Sequence, residues 1–175
     1  MNLFVLDQNP EKAAALSQDL HVRKMTPETA QLLANGFSLE QLMFAPKTQT
    51  GNVRKYSYIH HPVSKWVLQS KENFKWALKH GTALCEEFYY RFEKEHFCST
   101  FIKWANIHNP LNVAEGPFTE HPQCFVKDYP ELIVPNNPVK GYRNYYRVAK
   151  RQFLFKGKIV KASWTKRTIP DWFNN

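Results

Sequence analysis

Long hydrophobic runs are missing from this sequence, and none approaches the roughly 20 apolar residues that a membrane-spanning helix needs. The opening stretch MNLFVLDQNP is too short, and too soon acidic, to be a secretory signal peptide. We therefore expect a soluble, cytoplasmic protein without a membrane partner. A chain of 175 residues suits one domain, residues 1–175, which we expect to have a single core and to act as a monomer.

Cysteine is scarce, and the sequence contains no CxxC pair. The three cysteines are odd in number, so neither a disulfide framework nor a zinc finger is indicated. No spacing of His, Cys and Asp matches a known metal site, and we expect neither a metal nor a cofactor. Three histidines near prolines leave a weaker metal site open, although polar loop residues are the simpler interpretation: His60, His61 and His121.

Several motifs that carry catalysis are also absent. The chain has no GxxxxGK(S/T) or GxGxxG loop, which excludes the common nucleotide-binding turns, and no GxSxG elbow of a serine hydrolase. It shows no internal repeats and no low-complexity tracts. Charge distribution and helix patterning are therefore the informative signals.

Acidic residues are nearly absent from the last 36 residues of the chain. Residues 1–139 hold 14 Lys and Arg against 14 Asp and Glu, whereas residues 140–175 hold 10 basic residues and one acid, Asp171. The net charge of +9 therefore lies in a basic C-terminal segment, which predicts a polyanionic partner, nucleic acid before membrane. A disordered basic tail is the alternative, but such tails are poor in aromatic residues and this segment is rich in them.

Helical periodicity predicts a mainly α fold, a compact single-domain helical bundle. Pro10 begins one helix, and Thr26 and Pro27 fit the N-cap and the first position of a second helix that Gly36 ends. We expect Gly81 to divide the longest helical pattern into two helices. STFIKWANI is predicted as a further helix.

The predicted fold ends in an irregular loop and a basic helix. Residues 109–138 hold six prolines and no apolar period, so we predict a long Pro-rich loop, often functional at this length. The final helix is predicted in PVKGYRNYYRVAKRQFLF, followed by a tight turn and an extended piece in FKGKIVKASW. Four cations would share one side of this helix, as in a helix laid along a phosphate backbone: Arg143, Arg147, Lys150 and Arg151.

The aromatic residues of the C-terminal segment have two interpretations. A tryptophan such as Trp164 in WTKRTIPDWF can stack on an exposed base, with Lys166 and Arg167 beside it. Others are better explained as core residues: at least one of Tyr145 and Tyr146, together with Trp172 and Phe173.

The stretch DLHVRKMTPETAQLL contains a candidate catalytic acid, Glu28, for which two interpretations stay open. At the second position of the predicted helix, its carboxylate would be stabilised by the helix dipole, by roughly 0.3–1 kcal/mol. Alternatively, Asp19 and His21 precede it and Arg23 and Lys24 lie between, so it could act as a general acid/base near a substrate phosphate.

Three parts of the chain resemble a widespread family of small proteins of phages and large DNA viruses: DLHVRKMTPETAQLL, HPVSKWVLQSKENFKWALKHGTALCEEFYYR, and YRNYYRVAKR with WTKRTIPDWF. Through this family the chain is distantly similar to the pyrimidine-dimer DNA glycosylase called endonuclease V in T-even phages, which is also small, helical and basic. Asp19, His21 and Glu28 reproduce its acid-x-His pair and, nine residues after the acid, its catalytic glutamate. His61 opens the next long helix, as a histidine does there.

The resemblance implies an endonuclease V-like fold and double-stranded DNA as the partner, with a damaged or modified pyrimidine flipped out of the helix. Glu28 would help to cleave the N-glycosidic bond, and His21 would contact DNA near the scissile sugar. The candidate contacts to DNA are Arg23, Lys24, His61, Arg143, Arg147, Lys150, Arg151, Trp164, Lys166 and Arg167.

The chain departs from that enzyme at its first residues and around the glutamate. There, the initiator methionine is removed and the α-amine of a threonine attacks the sugar through a Schiff base. Here Asn2 is too large for methionine removal, so we expect the candidate nucleophile to be the α-amine of Met1, one residue further out. The arginines that surround the glutamate there are missing, since Pro27 precedes Glu28 and Gln31 follows it.

Three functions remain open from the sequence. The first is a DNA glycosylase-like enzyme, with AP lyase activity as a further step, that uses Glu28 as general acid/base. The second is an enzyme that hypermodifies thymine in phage DNA without cutting the strand. The third is a non-catalytic DNA-binding protein on the same fold, in which Glu28→Gln would change nothing. RNA in place of DNA also stays open, because phosphate contacts do not distinguish the two.

Overall fold

The computed structural model describes residues 1–155 and 157–174, and over these ranges the prediction of a mainly α fold is confirmed. The helices are α1 (Pro10–Leu16), α2 (Asp19–Ala34), α3 (Leu39–Phe44), α4 (Pro62–Gln69), α5 (Lys71–Phe92), α6 (Ser99–Ile107), α7 (Pro138–Ala149) and α8 (Asp171–Asn174). One antiparallel sheet joins β1 (Gln152–Phe155) to β2 (Lys158–Lys161). No described helix is long and apolar enough to cross a membrane.

The longest helix, α5, is the centre of the core and packs against α1, α2, α4 and α6. The predicted division at Gly81 is wrong, because α5 continues through this residue. The break falls instead at Ser70, whose hydroxyl accepts a hydrogen bond from the Asn73 N–H and caps α5. Gly81 has a packing role: a Cβ there would lie 2.9 Å from Cγ2 of Thr29 on α2. The small residue lets the two helices approach closely.

The start of α2 also differs from the prediction. The helix begins at Asp19, so Thr26 and Pro27 lie inside it and are not its N-cap and first residue. Pro27 has no N–H to donate to the Arg23 carbonyl four residues earlier. The buried ring of His96 lies near the Arg23 main chain, which partly offsets the lowering of the His96 pKa by burial. A carboxylate at position 28 therefore lies in the third turn, where a helix dipole contributes little.

The C-terminal helix is shorter than predicted. α7 ends at Ala149, and the sequence QFLF forms β1 instead of a fourth helical turn. Leu154 and Ile159 are directly opposite each other in the hairpin, and both are exposed. Residues 109–138 form the predicted irregular loop, apart from a short 3₁₀ helix at Pro130–Leu132.

The first residues of the chain run as an extended segment through the core. Leu3, Phe4, Val5 and Leu6 are all buried. Asn2 lies at Glu28 and Phe4 at His21, so the segment runs antiparallel to α2. This arrangement brings the chain end to the middle of α2.

Candidate active site

The first two residues present main-chain nitrogens to the carboxylate of Glu28. The α-amine nitrogen of Met1 lies 3.9 Å from Oε2 of Glu28, and the Asn2 N–H donates a 2.8 Å hydrogen bond to the same oxygen. The Asn2 side-chain oxygen accepts hydrogen bonds from the Leu3 N–H and from the hydroxyl of buried Tyr142. Asn2 therefore fixes the direction of the amine. No pattern in the sequence indicates this role, since it depends on Tyr142.

The amine is accessible although the Met1 side chain is buried. That side chain is 1% exposed, with its sulfur 3.9 Å from the Ser64 hydroxyl, whereas the residue as a whole is partly exposed. The exposed part of Met1 is thus its main chain, which carries the amine. The side chain of Glu28 is 18% exposed. An amine beside a partly exposed carboxylate suits a nucleophile with an adjacent acid/base group.

His61 approaches the same place from a third element. It caps α4, where its Nδ1 accepts a 3.3 Å hydrogen bond from the Val63 N–H. Partial burial lowers the pKa of the His61 imidazole, and the positive chain terminus lowers it further, whereas Glu28 raises it. Both electrostatic effects require His61 to lie near the amine and the carboxylate. With Nδ1 accepting, the neutral ring carries its proton on Nε2.

His21 is buried and does not face solvent. Its ring stacks on Phe4 with 4.5 Å between centroids, and its Nδ1 lies 2.5 Å from the hydroxyl of Tyr146. Burial lowers the pKa of His21 to about 3, and the charges of Lys150 and Lys24 lower it further. The predicted contact of this ring with DNA is at odds with its placement. His21 instead holds the N-terminal segment between α2 and α7.

Asp19, the first acid of the motif, joins distant parts of the chain. Its carboxylate accepts hydrogen bonds from Arg91, Ser163 and Thr165. Burial would raise the pKa of Asp19, but these hydrogen bonds outweigh that effect and lower it. Arg91 also donates to the carbonyl oxygen of Ser17 at the end of α1. Asp19 thus connects the start of α2 to α5 and to the C-terminal segment.

The predicted row of cations along α7 is divided among separate contacts. Arg143 donates to the Leu6 carbonyl at 2.8 Å and pairs with Asp7 at 3.3 Å. Arg151 lies beyond the end of α7, where its guanidinium donates to the Phe173 carbonyl. These two arginines hold the N-terminal and C-terminal segments on α7, so a phosphate would have to compete with protein partners for them.

The predicted stacking of Trp164 on a base is also at odds with the structure. Trp164 is 6% exposed, and its Nε1 donates to the Leu16 carbonyl, which makes it a core residue. The remaining paired cations of the predicted set have these partners: Lys166 pairs with Glu93 at 2.6 Å, Arg167 pairs with Glu87 at 2.5 Å, Arg147 donates to Asn144 at 3.3 Å, and Arg23 lies 4.0 Å over the Phe92 ring.

Two further cations of the predicted set, Lys24 and Lys150, have no carboxylate partner among residues 1–155 and 157–174. Lys24 is exposed and precedes Glu28 by about one helical turn. Lys150 packs over the Tyr145 ring, and both lysines are close enough to His21 to lower its pKa. Lys24 on α2 and Lys150 at the end of α7 therefore both lie near His21, and Lys24 is on the same helix as Glu28.

A scan against protein-family models, a search of curated proteins and a search of solved structures each found no match to this chain. Within the described ranges, no group of three or more His, Cys, Asp or Glu side chains is placed to hold a metal ion. The fold and the site define a mainly α protein with a solvent-accessible amine–carboxylate pair. The likeness to endonuclease V stays a prediction that rests on residues 19–28 and the basic segment.

Proposed function

We propose that this protein is a DNA glycosylase-like enzyme that removes a damaged or modified pyrimidine. The α-amine of Met1 is the nucleophile, and Glu28 is the general acid/base. The observation that carries the proposal is the 3.9 Å separation between this amine and the Glu28 carboxylate, at a place open to solvent. The spacing of Asp19, His21 and Glu28 supports it independently of the geometry.

The proposed reaction takes place at C1′ of a nucleotide flipped out of the duplex. The amine nitrogen uses its lone pair to bond C1′, while the bond from C1′ to the base breaks and the base leaves with that electron pair and takes a proton from solvent. Glu28 accepts one proton from the attacking nitrogen and returns it to the ring oxygen O4′ as the C1′–O4′ bond breaks, which leaves a protonated imine between Met1 and C1′. Water then hydrolyses the imine, or β-elimination cuts the strand.

The charge distribution supports DNA as the partner. Lys24 lies about one helical turn from Glu28 and Lys150 lies near His21, and Lys158 and Lys161 on β2 are exposed without a carboxylate partner in the described structure. Residues 140–170 contain no acid at all. Backbone phosphates are the ligands that such a surface binds, and they supply most of the affinity of a non-specific encounter.

The test uses a labelled duplex with one thymine dimer and an undamaged control duplex. Wild-type protein is expected to release the base and, with borohydride, to form a covalent adduct on the dimer duplex. Glu28→Gln should bind the duplex normally and react about 10²–10⁴-fold more slowly. A two-residue N-terminal extension should abolish the adduct, because it moves the amine away. Glu40→Gln, on the exposed face of α3, is the matched control and should react as wild type.

Two outcomes would contradict the proposal. An adduct formed by Glu28→Gln at the wild-type rate would remove Glu28 from the reaction. Binding of wild-type protein without base release from either the dimer duplex or phage DNA with modified thymine would remove the glycosylase. The thymine-hypermodifying enzyme and the non-catalytic DNA-binding protein would then be the functions to test.

A further inference from the structure

A cavity of about 640 Å³ lies beside α2, and no acidic side chain lines it. Pro27 and Gln31 of α2 form one wall, and residues 48–57 of the loop after α3 form most of the rest. The side chains of that loop include threonine hydroxyls, amides and two cations, Arg54 and Lys55. Polar groups that donate hydrogen bonds and the absence of acids make the cavity suited to a negatively charged ligand.

Arg54 is the central cation of this cavity and is 7% exposed. Its Nε donates to the Pro46 carbonyl at 3.1 Å, and its guanidinium lies 4.1 Å over the Phe101 ring. Its Nη2 is buried without a hydrogen-bond partner. In residues 1–155 and 157–174 no carboxylate pairs with Arg54. A buried charge without a counterion is unusual, since buried charges are normally paired.

The other buried arginine of the fold shows the contrast. Arg91 is 3% exposed and contacts two carboxylates, Asp19 at 3.2 Å and Glu87 at 2.9 Å. Burial lowers the pKa of the Arg54 guanidinium, and the Cys98 side chain offsets this only in part. The hydroxyl of Ser57 at the same cavity is also buried without a partner. Two residues with an unpartnered polar atom thus line the same cavity.

We propose that this cavity binds an oxyanion of the phosphate type, with Arg54 as its principal ligand. A guanidinium fork matches the geometry of phosphate oxygens, and an anion would neutralise the buried charge. The volume exceeds that of a phosphate and leaves room for an attached nucleoside. Pro27 and Gln31 flank Glu28 in the sequence of α2, so the oxyanion site lies close to the amine site but is separate from it. The inference does not depend on the proposed function.

Calorimetry and thermal unfolding of the full chain test the site with three probes. The probes are inorganic phosphate, thymidine monophosphate, and a thymidine hexanucleotide with free 5′ and 3′ hydroxyls, each compared with chloride at equal ionic strength. A bound probe at a hundredfold excess over its Kd should raise Tm by roughly 5–10 °C. Tighter binding of the mononucleotide identifies a free nucleotide as the source of the phosphate, and tighter binding of the hexanucleotide identifies the nucleic-acid backbone.

Variants of the cavity separate this site from others. Arg54→Met keeps much of the side-chain volume, removes the charge and should abolish phosphate binding. Ser57→Ala removes only an unpartnered hydroxyl, so it should fold normally and weaken binding about fivefold. Lys65→Met, on the exposed side of α4, is the matched control and should bind as wild type. Glu28→Gln should also bind as wild type, which keeps this test independent of catalysis.

The proposal is overturned if none of the three probes stabilises the wild-type protein more than chloride does. It is also overturned if folded Arg54→Met keeps wild-type affinity. Should Arg54→Met not fold, Ser57→Ala decides, because unchanged affinity in that variant removes the cavity as the binding site.

Discussion

Acid should unfold this protein through histidines that are neutral in the folded state. Four are buried, and the three with the largest pKa shifts, His21, His80 and His121, are 5%, 1% and 2% exposed. Burial lowers the pKa of each to about 3, with nearby positive charge as a smaller cause for His21. For His121 the nearby Pro122 main chain acts on the pKa in the opposite direction without cancelling the effect of burial.

The sign and the size of the effect follow from the histidine pKa values in the folded and in the unfolded chain. The unfolded chain takes up protons first, because a solvated imidazole has a pKa near 6.5. Stability is therefore fully present above about pH 7 and is lost as the pH falls from 6.5 toward 3. Each histidine contributes up to about 1.4 kcal/mol per pH unit in this range. Three together would reduce the free energy of unfolding by about 4 kcal/mol per pH unit near pH 5.

Urea unfolding at pH 8, 7, 6 and 5 measures this dependence, and His80→Phe isolates one histidine. The His80 ring stacks on Trp76 with 5.2 Å between centroids, and neither of its nitrogens has a hydrogen-bond partner. Phenylalanine therefore keeps the packing and removes only the proton uptake, so the slope should fall by about a third. His60→Gln, at an exposed position, should leave the slope unchanged. A slope in His80→Phe equal to that of wild type would refute the reasoning.

Two further predictions concern stability. Gly81→Ala should lower the free energy of unfolding by about 1 kcal/mol, because a Cβ 2.9 Å from the Thr29 methyl outweighs the better helix propensity of alanine. In a Thr29→Ser background this loss should vanish. An equal loss in both backgrounds, measured by urea unfolding, would reject the close contact. Asp19→Asn should lower the free energy of unfolding by about 2–3 kcal/mol, since buried Arg91 loses one of its two carboxylate partners and keeps Glu87. A loss under about 0.5 kcal/mol would show that Arg91 does not need the Asp19 carboxylate.

Local sequence signals predicted many of the helices but misplaced three boundaries: the start of α2, the break before α5 and the end of α7. Pro10 marks the start of α1, and STFIKWANI matches α6 residue for residue. The N-cap pattern at Thr26 and Pro27 is equally good locally, yet α2 runs through it. The Arg23 main chain, which loses its bond to the proline, lies near His96, a residue far along the chain. A tertiary partner of this kind is invisible to a local pattern.

The candidate site shows the same limit. The spacing of residues 19–28 draws attention to Glu28, which the structure brings to the Met1 amine. The sequence could not show that the Asp19 carboxylate would pair with Arg91. Net charge likewise counts cations without showing which are neutralised: Lys166 and Arg167 pair with acids of the α5 region, whose distance along the chain hides the pairing. Charge predicts a kind of partner better than it predicts the contacting residues.

The N-terminal segment is held by residues that are synthesised late. The Tyr142 hydroxyl donates to Asn2 across 140 positions of sequence, and Arg143 donates to Leu6 across 137. On the ribosome, the amine and Glu28 both emerge early, yet nothing fixes their separation until α7 has followed. A nascent chain thus carries the reactive groups without their geometry. The last third of the sequence completes the site that the first third contains, so assembly of the site coincides with completion of the fold.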